Sequence, residues 1–115
     1  ERKIEEAISH YKMAIKLNPD SAKAHYNLGN VLFNAKMTEE AIDYYKEAIR
    51  IRPNFAVAHN NLGNALVQKG EMKEAIDHYR ETLKLKPDLV AAQKNLERAL
   101  LWSEKHDELN IPSLP

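Results

Sequence analysis

The chain has 115 residues, 17 Lys and Arg against 17 Asp and Glu, 43% hydrophobic and 30% charged residues, and no cysteine. That is a globular composition without the basic excess that phosphate contacts need, so nucleic-acid binding is not expected. The missing cysteines remove disulfides, thiol nucleophiles and thiolate metal sites, and no apolar run approaches the roughly 20 residues needed for membrane insertion.

A period of 34 residues organises the chain. It links Pro19, Pro53 and Pro87, then Leu28, Leu62 and Leu96, Ala7, Ala41 and Ala75, and Tyr11, Tyr45 and Tyr79. Residues 22–55 and 56–89 are identical at 15 of 34 positions. Helical periodicity predicts six helices, at about 2–17, 21–34, 38–51, 55–68, 72–85 and 89–104.

The first helix carries Ala7, Tyr11 and Ala14 and closes before Pro19. It lacks a preceding partner helix, as if upstream sequence had been trimmed. The second presents Ala24, Leu28, Val31 and Leu32 on one face, and the third Ala41, Ile42, Tyr45, Ala48 and Ile49. Lys36 stands at the break between them, where Gly70 stands one unit later, a position that suits positive φ. Asp20, Asn54 and Asp88 are candidate N-caps of the second, fourth and sixth helices. In the sixth, Glu97 replaces the glycine of Gly29 and Gly63, so this helix reads as a terminal cap with Glu97, Arg98, Glu104 and Lys105 in water. Leu101 and Trp102 break its polar pattern, either packing on Leu109, Ile111 or Leu114 or offering a patch for self-association. Residues 105–115, with Asn110, Pro112 and Pro115, are expected to form an irregular tail.

The pattern resembles the tetratricopeptide repeat. Unit 22–55 carries it through Leu28, Gly29, Leu32, Ala41, Tyr45, Ala48 and Pro53. Unit 56–89 carries it through Leu62, Gly63, Leu66, Ala75, Tyr79 and Pro87, with Thr82 as a departure. Residues 1–21 match a second helix only and residues 90–104 a first helix only. The resemblance implies an all-α solenoid of antiparallel helix hairpins over residues 1–104, with six helices in total. The small residues let helices approach closely and the tyrosines fill the space between units.

Solenoid curvature makes a concave surface lined mainly by the first helix of each unit. Asn27, Asn61 and Asn95 occupy equivalent places there. Asn30 and Asn64 lie about one turn further on, Arg98 takes that place in the last unit, and Asn60 lies beside them. A carboxamide both donates and accepts, so a row of them suits an extended peptide backbone. Phe33, Val57, Val67 and Gln68 are further candidates for this inner surface. The row is similar to the asparagine ladder in the superhelix of O-linked N-acetylglucosamine transferases, where equivalent asparagines hold a peptide. The alternative is that Asn27 and Asn61 bond neighbouring helices and set the repeat spacing. The family's carboxylate clamp for chaperone tails matches at Asn30 and Asn61, but the resemblance puts Tyr26, Ala91 and Asn95 at its three places for cations.

Five histidines fall on repeat-equivalent packing or surface places, with His25 and His59 34 apart, and do not form a metal-ligand pattern. Glu5, Glu6, Glu39, Glu40, Glu71 and Glu74 open second helices, where negative charge favours the helix N-terminus. No catalytic residue, cofactor or metal is expected. The leading expectation is a scaffold that binds an extended protein segment. The alternatives are a substrate-recruiting arm of a larger enzyme, such as a glycosyltransferase, and self-assembly through the N-terminal edge or Leu101 and Trp102.

Overall fold

The computed structural model describes the backbone of residues 2–110 and the side chains of residues 2–106. Six helices account for nearly all of it: α1 Arg2–Leu17, α2 Ala22–Asn34, α3 Thr38–Ile51, α4 Ala56–Lys69, α5 Met72–Leu85 and α6 Val90–Asn110. Each packs on the next in the chain. In addition the backbones of α2 and α4, and of α4 and α6, come close, whereas those of α1, α3 and α5 do not; α3 and α5 meet through the ion pair of Lys46 with Glu74 at 3.5 Å. The first helices of the units therefore lie side by side as an inner wall and the second helices splay outward. The result is an elongated body of 60 × 31 × 22 Å. No helix among the described residues is long and apolar enough to cross a membrane.

The turns explain how one sequence period becomes one hairpin. Before each first helix the chain makes a hydrogen-bonded turn: Ser21 N–H donates to Asn18 O, Phe55 N–H to Arg52 O and Leu89 N–H to Lys86 O. Pro19, Pro53 and Pro87 take the second position of these turns, where their restricted φ fits. That register moves the expected caps by one residue. Asp20, Asn54 and Asp88 sit in the turns, and the side chain that caps α2 is Ser21, whose Oγ accepts from Ala24 N–H at 3.1 Å. Phe55 holds the matching place before α4 and gives no side-chain cap.

Between the two helices of a unit the chain turns through a left-handed residue. Gly70 has φ 91° and Lys36 has φ 68°. At both places the following N–H reaches back to the helix, Met37 to Leu32 O at 2.9 Å and Glu71 to Leu66 O at 2.8 Å. This is the geometry that closes a helix through a left-handed residue. Lys36 adopts it at a cost glycine does not bear.

The core runs from α2 to α6: Leu28, Leu32, Ala41, Ile42, Tyr45, Leu62, Ala65, Leu66, Ala75, Ile76, Tyr79 and Ala99 form one buried cluster, against which the half-buried Ile8, Tyr11 and Ile15 of α1 pack. Its tightest points are two glycines. A Cβ on Gly29 would stand 2.7 Å from Tyr45 Cδ1, and one on Gly63 would stand 2.5 Å from Tyr79 Cε1. Those rings are buried and cannot step aside. Glu97 on α6 is exposed, as are Arg98, Glu104 and Lys105.

One boundary differs from the expectation. α6 runs to Asn110, so residues 105–110 continue the helix instead of starting an irregular tail. Lys105–Asn110 contains no breaker, and the first residue that proline chemistry restrains is Ile111, ahead of Pro112. The partners expected for Leu101 and Trp102 at Leu109, Ile111 and Leu114 lie outside the residues whose side chains are described.

Urea unfolding of two variants tests the packing and the turn. Gly63→Ala is expected to destabilise by about 1–2 kcal/mol, because overpacking of about 1–3 kcal/mol exceeds the helix-propensity gain of up to about 1 kcal/mol. Lys36→Gly is expected to stabilise by about 0.5–1 kcal/mol, through relief of the left-handed backbone.

Candidate functional site

The asparagines lie on the wall formed by α2, α4 and α6, and most of them are tied to one another. Asn61 Nδ2 on α4 donates to Asn30 Oδ1 at 2.9 Å and to Tyr26 Oη at 3.1 Å, both on α2. Tyr45 Oη donates to the same Asn30 oxygen at 2.6 Å, and one unit later Tyr79 Oη donates to Asn64 Oδ1 at 2.6 Å. Asn95 Nδ2 donates to Asn60 Oδ1 at 3.1 Å, and Asn60 Nδ2 reaches Asn61 Oδ1 at 3.4 Å. The chain of contacts crosses both interfaces of the inner wall.

The capacity left for a ligand follows from the chemistry of the group. A carboxamide has two N–H donors and two acceptor positions. Asn61 spends both donors inside the protein. Asn30 spends both acceptor positions and keeps its NH2. Asn64 keeps both N–H groups, and Asn95 keeps one N–H and its oxygen. Asn60 is only 7% exposed and acts as a link between Asn61 and Asn95. Asn27 is half-buried. The partners that Asn61 and Asn95 find 35 residues back would, for Asn27, fall before residue 1.

The tyrosines orient these groups. Burial pushes the Tyr45 hydroxyl well above its ordinary range, and the nearby Tyr26 adds to the effect. Burial also raises Tyr79 to about 12, against the pull of Arg98. Both hydroxyls stay protonated at neutral pH and donate, so the asparagine oxygens face them and the NH2 groups turn away.

Two cavities open along this wall. The larger, about 380 Å³, is lined by Phe33, Asn64, Val67, Gln68, Met72, Tyr79, Asn95, Arg98, Ala99 and Trp102. The second, about 320 Å³, is lined by Asn30, Phe33, Asn34, Tyr45, Asn61 and Asn64. They share Phe33 and Asn64 and make one continuous groove. Of the expected inner apolar residues Phe33 and Val67 belong to it, together with Gln68. Val57 does not: it lines a separate cavity with Arg52, Phe55, Leu85 and Lys86. Met72 and Ala99 also line the groove without a sequence signal that marks them, and Tyr45 and Tyr79, expected only as packing residues, line it as well.

The histidines serve the turns. His25 Nε2 and His59 Nε2 each bond the carbonyl of the turn proline, Pro19 and Pro53, at 2.9 Å, and Gln93 Nε2 donates to Pro87 O at 2.8 Å. With its Nε2–H committed, neutral His59 accepts at Nδ1, so His78 Nδ1–H is the donor in their 3.0 Å contact. His78 Nε2 faces Glu74 at 3.8 Å.

Two unit-length segments, residues 22–55 and 56–89, match the family description Tetratricopeptide repeat, and residues 3–35 match a second description, TPR repeat. The chain belongs to the tetratricopeptide-repeat family. Among solved structures it is similar to the first TPR of Spaghetti (RPAP3) bound to HSP90 peptide SRMEEVD. That match has TM-score 0.87 and 22% identity over 89% of this chain and 81% of that one. It is also similar to MamA, with TM-score 0.74 and 28% identity over 91% of this chain and 71% of that one. No curated protein matches it in sequence.

The histidine pair makes this TPR array sensitive to pH. Burial lowers the His78 pKa below its ordinary 6.5, and His59 lowers it further against the opposing Glu74. The native state then binds fewer protons than the unfolded chain, so stability falls as pH drops below about 6.5 and levels off past the folded-state value. Urea midpoints measured from pH 7.5 to 5 should show that loss. His78→Tyr, which copies Tyr44 of the preceding unit, should flatten it.

Proposed function

We propose that this array is a recognition module that holds an extended segment of another protein along the α2–α4–α6 wall. The observation that carries the reading is the pair Asn30 and Asn64. They stand 34 residues apart, each has its oxygen held by a buried tyrosine, and each has an uncommitted NH2 beside the shared groove. Donors repeated in register are what an extended backbone, with its own regular carbonyls, can use. They are oriented before binding, which lowers the ordering cost of association. The likeness in fold to a TPR domain solved with a bound peptide supports peptide binding as the use of this array.

The details of the contacts differ from both family precedents. Tyr26, Ala91 and Asn95 stand where the resemblance puts the cations of the chaperone-tail clamp, so a terminal carboxylate finds no matching charges at those positions. Asn61, the central member of the row that resembles the asparagine ladder of the glycosyltransferase superhelix, has both donors engaged by Tyr26 and Asn30. The ligand-facing roles therefore pass to Asn30, Asn64 and Asn95, with Arg98 beside them, while Asn60 and Asn61 set the spacing of the helices. A substrate-recruiting arm of a larger enzyme would use the wall in this same way.

The test separates the two groups of asparagines. Against peptides selected from a randomised library, Asn64→Ala and Asn95→Ala should each weaken binding about fivefold, the equivalent of about 1 kcal/mol for one lost hydrogen bond. Each also unpairs a buried group, the Tyr79 hydroxyl or the Asn60 oxygen, and should cost about 1 kcal/mol of stability. Asn61→Ala should cost about as much stability while leaving affinity unchanged, because both its donors are engaged inside the protein. Unchanged affinity in both Asn64→Ala and Asn95→Ala would remove the proposal.

A further inference from the structure

The groove carries one charge. Among all the residues lining its two connected cavities, only Arg98 is ionised at neutral pH. Its place is equivalent to Asn30 and Asn64, yet no tyrosine holds it, and among the described residues no carboxylate pairs with it. The guanidinium is exposed and presents its fork of donors to whatever enters.

Beside it the groove is apolar. Phe33, Val67, Met72 and Trp102 come from four different helices to line the same cavity. Trp102 is 44% exposed, and its ring is stacked on His106 at 3.5 Å between centroids. His106 Nδ1 is in turn 2.9 Å from Trp102 O, so the pair is held on one turn of α6. A half-exposed indole beside a lone cation, with the uncommitted NH2 of Asn64 between α2 and α6, is complementary to a ligand that is apolar at one point and anionic at the next.

Resting on the peptide-binding reading above, we propose that this half of the groove selects an extended segment carrying a bulky apolar side chain and, two residues away, an internal Asp or Glu. Alternate side chains of an extended chain point the same way, which sets the two-residue spacing. The apolar side chain enters between Phe33 and Trp102. The carboxylate takes a bidentate contact with Arg98, and the backbone lies on Asn64 and Asn95. A free C-terminus is not needed, because the charge is read from a side chain.

The experiment uses the whole chain and fluorescein-labelled, amide-capped peptides with a Leu-Ser-Glu core between Gly-Ser flanks, titrated by polarisation up to their solubility limit. The single tryptophan, Trp102, gives a second readout by its emission. Changing the core Glu to Gln, or the core Leu to Ala, should weaken binding about tenfold. Arg98→Glu should reverse the preference, so that a Leu-Ser-Lys core binds more tightly than Leu-Ser-Glu; Arg98→Gln should abolish the difference. Equal affinity for Glu and Gln cores overturns the proposal. If Asn64→Ala still weakens both peptides, the general peptide-binding reading survives that result. Failure of every peptide to bind removes the selectivity claim, and if library-selected peptides fail too, the general reading goes with it. A concentration-dependent dimer by light scattering that Trp102→Ala abolishes would show that a second copy fills the groove, and would also overturn the proposal.

Discussion

The contact between a glycine on the first helix of a unit and a tyrosine on its second is the constraint on which the rest depends. Gly29 lets the Tyr45 ring lie against the α2 backbone, and Gly63 does the same for Tyr79 on α4. That contact fixes the separation of the hairpin and brings the hydroxyl to the edge of the inner wall, where it holds Asn30 or Asn64 by its oxygen. One side chain thus serves packing and function together. Its ring excludes water from the core, and its hydroxyl decides which end of a carboxamide is left for a partner. α6 carries Glu97 in place of the glycine and Arg98 in place of the asparagine, so neither the close approach nor the oriented amide is repeated there.

The units are alike in backbone and unlike in chemistry. Tyr26 in the first unit closes the Asn61 donors, and its counterpart Asn60 bonds Asn95 and leaves part of that amide open. Tyr44 lies against His25, whose Nδ1 is buried without a partner, while His78 supplies one to His59. Lys36 bears the left-handed strain that Gly70 avoids. These differences polarise the groove. Its α2 end is internally bonded, and its α6 end is apolar with a single positive charge.

Curvature follows from which helices touch. The backbones of the first helices approach one another and those of the second helices do not, so the wall is drawn in on the asparagine side. The bonds Asn61–Asn30 and Asn95–Asn60 cross those same interfaces and help set the spacing. Part of the asparagine row is therefore architecture. Side-chain bonds between helices stabilise by about 1 kcal/mol each, comparable to what the same amides could give a ligand, so no single amide supplies both roles in full.

The 34-residue period by itself determined the number of helices and their hairpin pairing, because both follow from local periodicity; the tyrosines read as filling the space between units, and only the fold laid each ring on the glycine of its own unit. The period also placed the asparagines on the first helices. Only the tertiary structure decided what each asparagine can do. The hydrogen bonds of Asn61 run to residues 31 and 35 positions away, and no spacing rule reveals that Tyr26 would use up its second donor. The same holds for Val57, which shares the apolar character of Val67 but faces a different cavity, and for Met72, whose exposure to the groove depends on how α5 meets α6. The α6 boundary was the opposite kind of miss. Pro112 and Pro115 suggested an irregular end, but a proline's backbone restriction reaches back only to the residue before it, and the helix continues to Asn110. Helix periodicity is written along one segment of chain, whereas the free capacity of a polar group is set by every neighbour that folding brings to it.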